Sequence, residues 1–579
     1  MFVRFFAAVA ICMIGASAGQ AQTIYPLDRA EILAGSEFDL KVEFPGNPDP
    51  KSLKVFLNGV DAATALGKEP WIIPLEEGLP QVSYWVRRVK ITTPGKVTVE
   101  ALNGNDKAIV TWEVFDTPKG RTAKNVILFV GDGLSMAHRT AARILSKQLV
   151  EGRYGGELAI DDMPHMALVS THGSDAIVTD SANSMSAYTT GHKSCVNALG
   201  VYCANNRSTQ AHPWVENITT LAKRKLGLAV GVVTNTEIQD ATPAAMVAHT
   251  RRRMDYDDIV KAFYDVQPEV ILGGGSVHFL PASHPDGKRR DNVDYVEKFT
   301  AAGYAFTKTK SEMLAAARDA KTTKLLGLFN KSNIDGALDR KFLKKGTVPL
   351  YPDQPDLTDQ VKAALAVLAK NDNGFLLMVE SGRIDKYSHS LDWERSVYDT
   401  IMLDNAVAVA KQFAGDRNDT LIITVADHAH PISVIGTYDD AAGPGIRERL
   451  QLYDKSKFPN YEKPDAEGYP PSVDVSRRLA VVFAGIPDHC DAGKPHLSGE
   501  NVPAQPASDG KSSVPNEANC AVPGAARRVG NLPMTAGVGI HSADDVVLTA
   551  MGPGSEMFRG RIDNTRVFRA MAIALGLGK

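Results

Sequence analysis

The chain has 579 residues, 44% hydrophobic and 23% charged, without a low-complexity tract, so it reads as an ordinary globular sequence with room for two or more domains. Its 64 basic and 67 acidic residues leave a net charge of −3, which argues against nucleic acid or an anionic membrane surface as its main partner. The first residues, MFVRFFAAVAICMIGASAGQAQ, carry one positive charge, an apolar run and small residues at Ala16, Ala18 and Ala21. That is the pattern of a secretory signal peptide over 1–21, cleaved after Ala21. No later stretch is long and apolar enough to span a bilayer, so the mature chain is expected to be periplasmic or secreted, with no membrane anchor.

Residues 22–118 have period two. In EFDLKVEF, Phe38, Leu40, Val42 and Phe44 alternate with Asp39, Lys41 and Glu43, and four similar runs follow between Gly, Pro and Asn turns. Short alternating strands without a helical segment predict a small immunoglobulin-like β-sandwich. Nothing in it looks catalytic, so it is expected to be a spacer or a docking domain. After the linker DTPKGRTAK the character changes, and 119–579 reads as one catalytic domain. NVILFVGDG, LAVGVVTN, VILGGG, FLLMVESG, TLIITVADHAH and LAVVFAG are buried-strand runs, many separated by helical stretches such as DLTDQVKAALAVLAKN. That predicts a three-layer α/β domain around a mostly parallel sheet. The segment 436–535 is rich in Pro, Gly and Asp and reads as an insertion over the active-site face.

Removing Cys12 with the signal leaves Cys195, Cys203, Cys490 and Cys520, an even count suited to two disulfides in an oxidising compartment. Three connectivities are open, and the sequence-local pairs Cys195–Cys203 and Cys490–Cys520 are favoured. A four-cysteine zinc site competes, but no C-x-x-C spacing supports it.

Several strand runs end in acidic residues or histidines. Asp132 follows VILFVG, Glu380, Asp385 and His389 lie in VESGRIDKYSH, Asp427, His428 and His430 lie in ADHAH, and His541 lies in GIHSADD. Ligands in doubly wound sheets bind at the carboxyl ends of strands, so these groups could converge. Asp385 and His389 share a face if their segment is helical. One Asp after a strand is usually a turn or cap residue, and one His a satisfied polar group; five or more together are hard to explain that way. In VTDSANSMSAYTTG, a β-branched run reads as a strand feeding a helix, with Ser181 at or just before the helix N-terminus. Free backbone N–H groups favour an anion there, although a serine so placed is more often an N-cap. Mixed Asp and His donors suit zinc, and Asp, Glu and Thr oxygens suit magnesium, which together point to phosphoryl chemistry.

These motifs resemble the alkaline phosphatase family of the bacterial type over about 124–579. GDG at 131–133, DSA at 180–182, QDATPAAMVAH at 239–249, VESGRIDKYSH at 379–389, ADHAH at 426–430 and GIHSADD at 539–545 occur in the family's order. The resemblance implies hydrolysis of phosphate monoesters with Ser181 as the nucleophile that becomes phosphoserine. It also implies two zinc ions and one magnesium. Asp385, His389 and His541 would hold one zinc, Asp132, Asp427 and His428 the other, and Asp132, Thr242 and Glu380 the magnesium. His430 would orient a zinc-bound carboxylate. Asp240 and Lys386 match the bacterial-type pair near magnesium and phosphate, with a surface ion pair as the plainer reading. Arg253, the last of the RRR run, takes the register of the phosphate-binding arginine, and Arg251 and Arg252 read as solvated charges. The N-terminal β-region is absent from familiar members and leaves the oligomeric state open, with a homodimer as one option.

A sulfatase of the same superfamily would need a Cys/Ser-x-Pro-x-Arg motif, which DSANS does not supply. A phosphodiesterase shares the two-zinc core, but Thr242, Glu380 and Arg253 favour monoesters. An exported protein that binds metal or phosphate without turnover would lack the nucleophile, and Ser181 is present.

Overall fold

The computed structural model describes residues 22–579; the expected signal peptide and Cys12 lie outside the described residues. Strands Thr23–Tyr25, Phe38–Pro45, Gln81–Val89 and Trp71–Pro74 pair in that order as one antiparallel sheet. Glu31–Leu33, Asp106–Phe115, Gly95–Asn103, Leu53–Leu57 and Val60–Asp61 form a second sheet. Phe38, Leu40, Val42 and Phe44 pack against Val55, Val99 and Trp112 between them. The Phe38 and Trp112 rings meet edge to face at 5.7 Å, and the Trp112 indole N–H donates to the Pro26 carbonyl at 3.0 Å. The region is not purely strand. A one-turn helix, Ala62–Leu66, starts where the Asp61 carboxylate accepts the Thr64 N–H and stops at Gly67, whose φ of 63° turns the chain left-handed.

The polar residues of the Phe38–Pro45 strand are buried along with its apolar ones, because they face the α/β region rather than water. Asp39 is 3% exposed and accepts the Trp214 N–H at 3.2 Å; the buried Glu43 accepts the Asn205 N–H at 2.9 Å. Lys41, fully buried, pairs with Glu43 at 3.1 Å and Glu76 at 2.8 Å.

The α/β region is built on a ten-stranded sheet with the order Ala305–Thr307, Leu325–Leu328, Val270–Gly274, Ala229–Glu237, Phe375–Ser381, Asn125–Gly131, Thr420–Ala426, Val546–Met551, His165–Ser170 and Arg559–Asp563. The first seven run parallel; Val546–Met551 opposes both neighbours, and the last two are parallel to each other. The central strands are buried along their whole length because helices cover both faces, which is why they read as unbroken apolar runs. One flank was not legible that way. His165–Ser170 exposes Met166 and Leu168 and Arg559–Asp563 is mostly polar, so neither forms an apolar run.

Two expected strands are corrected. LAVVFAG does not enter the large sheet. Arg477–Phe483 pairs antiparallel with Ile432–Asp439, which also pairs with Leu450–Gln451, in a separate three-stranded sheet. The β-branched run before Ser181 is not a strand either. Ile177 is 77% exposed, and turn contacts replace a ladder: Gly173 N–H donates to the Ala176 carbonyl and Ser174 N–H to the Ser194 carbonyl. Within 436–535, two small antiparallel sheets pair His489–Asp491 with Ala526–Arg528 and Ala504–Pro506 with Ser513–Pro515. Cys490 and Cys520 lie at bonding distance there, as do Cys195 and Cys203 beside the all-β region. Among the described residues no helix is long and apolar enough to cross a membrane.

Candidate active site

Three adjacent strands deliver carboxylates to one edge. Asp132 follows Asn125–Gly131, Glu380 is the penultimate residue of Phe375–Ser381, and Asp427 follows Thr420–Ala426. The neighbouring strand Ala229–Glu237 leads into the short helix Ala241–Ala244, which carries Thr242 and is capped by Asp240. Asp385 and His389 lie one turn apart on the helix Arg383–His389, with His389 Nε2 3.3 Å from Asp385 Oδ1. Gly133, with φ of 65°, lets the chain pass under His430. A Cβ there would stand 2.6 Å from the His430 ring and 3.4 Å from the Asp385 backbone.

Ser181 is the first residue of the helix Ser181–Thr190, not its cap. Asp180 takes that place, its carboxylate accepting the Asn183 N–H, and this leaves the Ser181 hydroxyl free to face the carboxylates. Its Oγ lies 3.3 Å from His428 Nε2 and 3.4 and 3.5 Å from the two Asp132 oxygens. Ser181 is 2% exposed, so its surroundings set its chemistry.

The imidazoles are arranged as ligands. His389 Nδ1 lies 2.6 Å from the Gly539 carbonyl and His541 Nδ1 2.8 Å from the Thr179 carbonyl. A carbonyl only accepts, so both Nδ1 atoms carry hydrogen and, in the neutral rings, both Nε2 atoms present lone pairs. Those two Nε2 atoms stand 3.0 Å apart, each within 3.3 Å of Asp385 Oδ1. Acceptors so converged repel unless a cation lies among them. His430 Nε2 joins the same group, 2.7 Å from Asp385 Oδ1. His428, stacked on His541 at 3.6 Å, has Nε2 3.0 Å from Asp132 and 3.5 Å from Asp427. Ligand atoms of Asp132, Asp385 and His428 also cluster closely enough to share an ion, so Asp385 stands between both groups.

Burial raises the Asp132 carboxyl well above its ordinary range, and Asp385, Asp427 and Glu380 add to it by repulsion. Glu380 is pushed up to about 7, chiefly by burial, although the Thr234 and Thr236 hydroxyls donate to it. The Thr242 hydroxyl, one Asp427 oxygen and the Nδ1 atoms of His428 and His430 are buried without a protein partner. Crowded carboxylates and orphaned donor atoms fit bound cations of the zinc and magnesium types.

Of the three consecutive arginines, Arg253 reaches the site. Its terminal nitrogens lie 3.1 Å from Asp180 and 2.8 Å from Asp240, while Arg252 is exposed and Arg251 donates to the Val196 carbonyl. Lys386 Nζ lies 2.8 Å from the other Asp240 oxygen, in a pair that is largely covered rather than on the surface. Burial opposes ionisation of Asp240, but Lys386 and Arg253 outweigh it and hold the carboxyl well below its usual range. Sequence reasoning missed the supports. Ser135 Oγ both donates to the His430 carbonyl and accepts its N–H, and the Asn235 amide ties Gly382 to Asp399. Polar residues inside an apolar strand run, as in VVTNTE, were the available signal for Thr234, Asn235 and Thr236.

A parallel sheet whose carboxyl edge gathers a helix-borne serine, paired carboxylate–imidazole clusters and an arginine defines a phosphoric monoester hydrolase when set beside known proteins. The sequence profile described as "Alkaline phosphatase" matches residues 123–577, and the chain belongs to the alkaline phosphatase family. The tissue-nonspecific isozyme of Gallus gallus is 31% identical over 438 residues, covering 69% of this chain and 78% of that protein. The alkaline phosphatase of Escherichia coli K12 is 31% identical over 401 residues, or 63% and 80% of the two chains. The Thermus thermophilus alkaline phosphatase structure superposes with a TM-score of 0.56 at 25% identity, covering 80% of this chain and 93% of its own. A structure of a TAB5 alkaline phosphatase mutant, at TM-score 0.53 and 20% identity, has magnesium in its M3 site; it covers 79% of this chain and 99% of that one.

Proposed function

We propose that the protein is an exported alkaline phosphatase that hydrolyses phosphate monoesters through a phosphoserine at Ser181, with two zinc ions and one magnesium. In this reading the signal peptide covers 1–21, the β-sandwich 22–118 and the catalytic domain 119–579, with 436–535 inserted. The signal pattern and two cysteine pairs support export. Asp385, His389 and His541 would hold one zinc, Asp132, Asp427 and His428 the other, and Asp132, Thr242 and Glu380 the magnesium. When bound, these ions supply positive charge that lowers the pKa of a coordinated hydroxyl and neutralises phosphate oxygens.

The observation that carries the reading is the Ser181 hydroxyl, freed from capping and facing Asp132 and His428. Arg253 orients the phosphoryl group. Each terminal nitrogen spends one N–H on Asp180 or Asp240 and keeps another for a phosphate oxygen. Ser181 Oγ then attacks phosphorus as the leaving oxygen departs on the opposite side. Water displaces Ser181 from the phosphoserine in a second in-line step. His430 holds Asp385 in place throughout.

Two in-line displacements give net retention at phosphorus, which a chiral phosphate ester reads directly; inversion would overturn the phosphoserine. Ser181→Ala should lose most turnover yet keep its zinc, because no metal donor is removed. A chelator should abolish wild-type activity, and zinc with magnesium should restore it.

A further inference from the structure

Between the all-β region and the catalytic region lies a cavity of about 110 Å³, whose walls include Asp39, Trp85, Arg87, Arg88, His212 and Trp214. It lies outside the site described above and contains none of its residues. We infer that this cavity is a second binding site for inorganic phosphate in its hydrogen-phosphate form.

The two arginines beside it are stacked on indoles and only weakly paired with carboxylates. The Arg87 guanidinium lies 3.9 Å from the centre of the Trp85 ring and 4.7 Å from that of Trp71. Among the described residues no carboxylate comes within ion-pair distance of it, and its Nε is buried without a partner. Arg88 stacks on Trp214, and among the described residues its one ion pair, with Glu37, is long at 3.9 Å. Stacking on an indole occupies the face of a guanidinium and leaves its N–H edge to donate in plane, the geometry that oxyanions take. His212 is 4% exposed, and among the described residues neither ring nitrogen has a hydrogen-bond partner. Burial, followed by repulsion from Lys41 and Arg251, pushes its pKa down to about 4. Glu77 and Glu76 oppose that repulsion, and the neutral imidazole offers one N–H.

Asp39 selects among anions. Its Oδ2 accepts from Trp85 Nε1 and the Trp214 N–H, but among the described residues Oδ1 accepts only the Arg88 N–H. One carboxylate lone pair is therefore left at the wall. It repels a fully ionised oxyanion such as sulfate and accepts a hydrogen bond from an anion that keeps a proton. Hydrogen phosphate keeps one at neutral pH, whereas sulfate has none.

Calorimetric titration of the metal-loaded, full-length enzyme with inorganic phosphate tests this, with sulfate as a parallel arm. The wild type should take up a second phosphate per chain beyond the one at the active site, and sulfate should not fill that second site. Arg87→Ala and His212→Ala should each weaken the second site by about tenfold or more, the loss of one charge-assisted or buried hydrogen bond. Turnover of an aryl phosphate and its competitive inhibition by phosphate should stay at wild-type values, which shows that the variants are folded. A single phosphate per chain in the wild type, two that survive both substitutions, or sulfate filling the second site as well as phosphate would each overturn the inference. The count does not depend on turnover, so its failure is separable from failure of the phosphoserine mechanism.

Discussion

Arg253 shows how much a single position in a basic run matters. Three consecutive arginines are equivalent in composition, but the Arg253 N–H bonds the Asn197 carbonyl and its side chain falls between Asp180 and Asp240. A monoester offers two non-bridging oxygens to such a fork, and in a diester one of them carries a substituent. Arg253→Ala should lower kcat/KM for an aryl monoester by about one to three orders of magnitude, as for other positioned charge stabilisers. Hydrolysis of an aryl diester should change far less. Arg251→Ala and Arg252→Ala should leave both nearly unchanged, and a monoester-selective loss in either would move the clamp by a residue.

At the scale of elements, the helix Trp393–Ala414 and the inserted segment each lead to a measurable consequence. Glu394 lies in the first turn of that helix, 4% exposed, and burial, with help from Asp392, pushes its carboxyl up to about 8. An acid whose folded pKa exceeds its unfolded one stabilises the fold at low pH and loses that stability as pH rises through the folded value. The melting temperature should therefore fall between the ordinary carboxyl value of 4.5 and about pH 8 and level off above that, and Glu394→Gln should flatten the fall. An equal fall in the variant would assign it to other groups. In the insertion, Cys490 and Cys520 are 30 residues apart and close the segment whose Glu500 and Asn501 bond Ser390 beside the helix that carries Asp385 and His389. Opening that loop by Cys490→Ser with Cys520→Ser should cost roughly 3 to 4 kcal/mol in the chain-entropy model. Thermal unfolding of the double variant measures it.

At the scale of the whole molecule, the all-β region is fastened to the catalytic region by buried charge rather than tethered as a free module. Lys41 is enclosed with Glu43 and Glu76, and Glu43 reaches across to the Asn205 N–H. Lys41→Ala would strand two buried carboxylates and should cost about 3 to 5 kcal/mol, the usual penalty for breaking a buried pair from one side. Lys41→Met with Glu43→Gln and Glu76→Gln should recover part of that stability, because no ion is then left unpaired. Urea unfolding of the two variants separates a structural ion cluster from incidental charge. Removing residues before Lys119 would bare Trp214, Val215 and Tyr202 and should reduce solubility before it reduces metal affinity.

The sequence by itself determined what is local or repeats at short range. Period two marked the strands around Phe38–Pro45, unbroken apolar runs marked the central parallel strands, and the four-residue spacing put Asp385 and His389 on one helical face. Order along the chain was enough to bring the family's motifs into view, from Asp132 through Ser181 to His541. What only tertiary structure decided depends on pairs far apart in the chain. That Asp385 stands between the two carboxylate–imidazole clusters and that Asp180 rather than Ser181 caps its helix follow from packing, which no periodicity records. The strand Phe38–Pro45 makes the reason plain. Alternation fixes which residues share a face, but whether Asp39, Lys41 and Glu43 meet water or another part of the chain depends on a surface about 170 residues away in sequence.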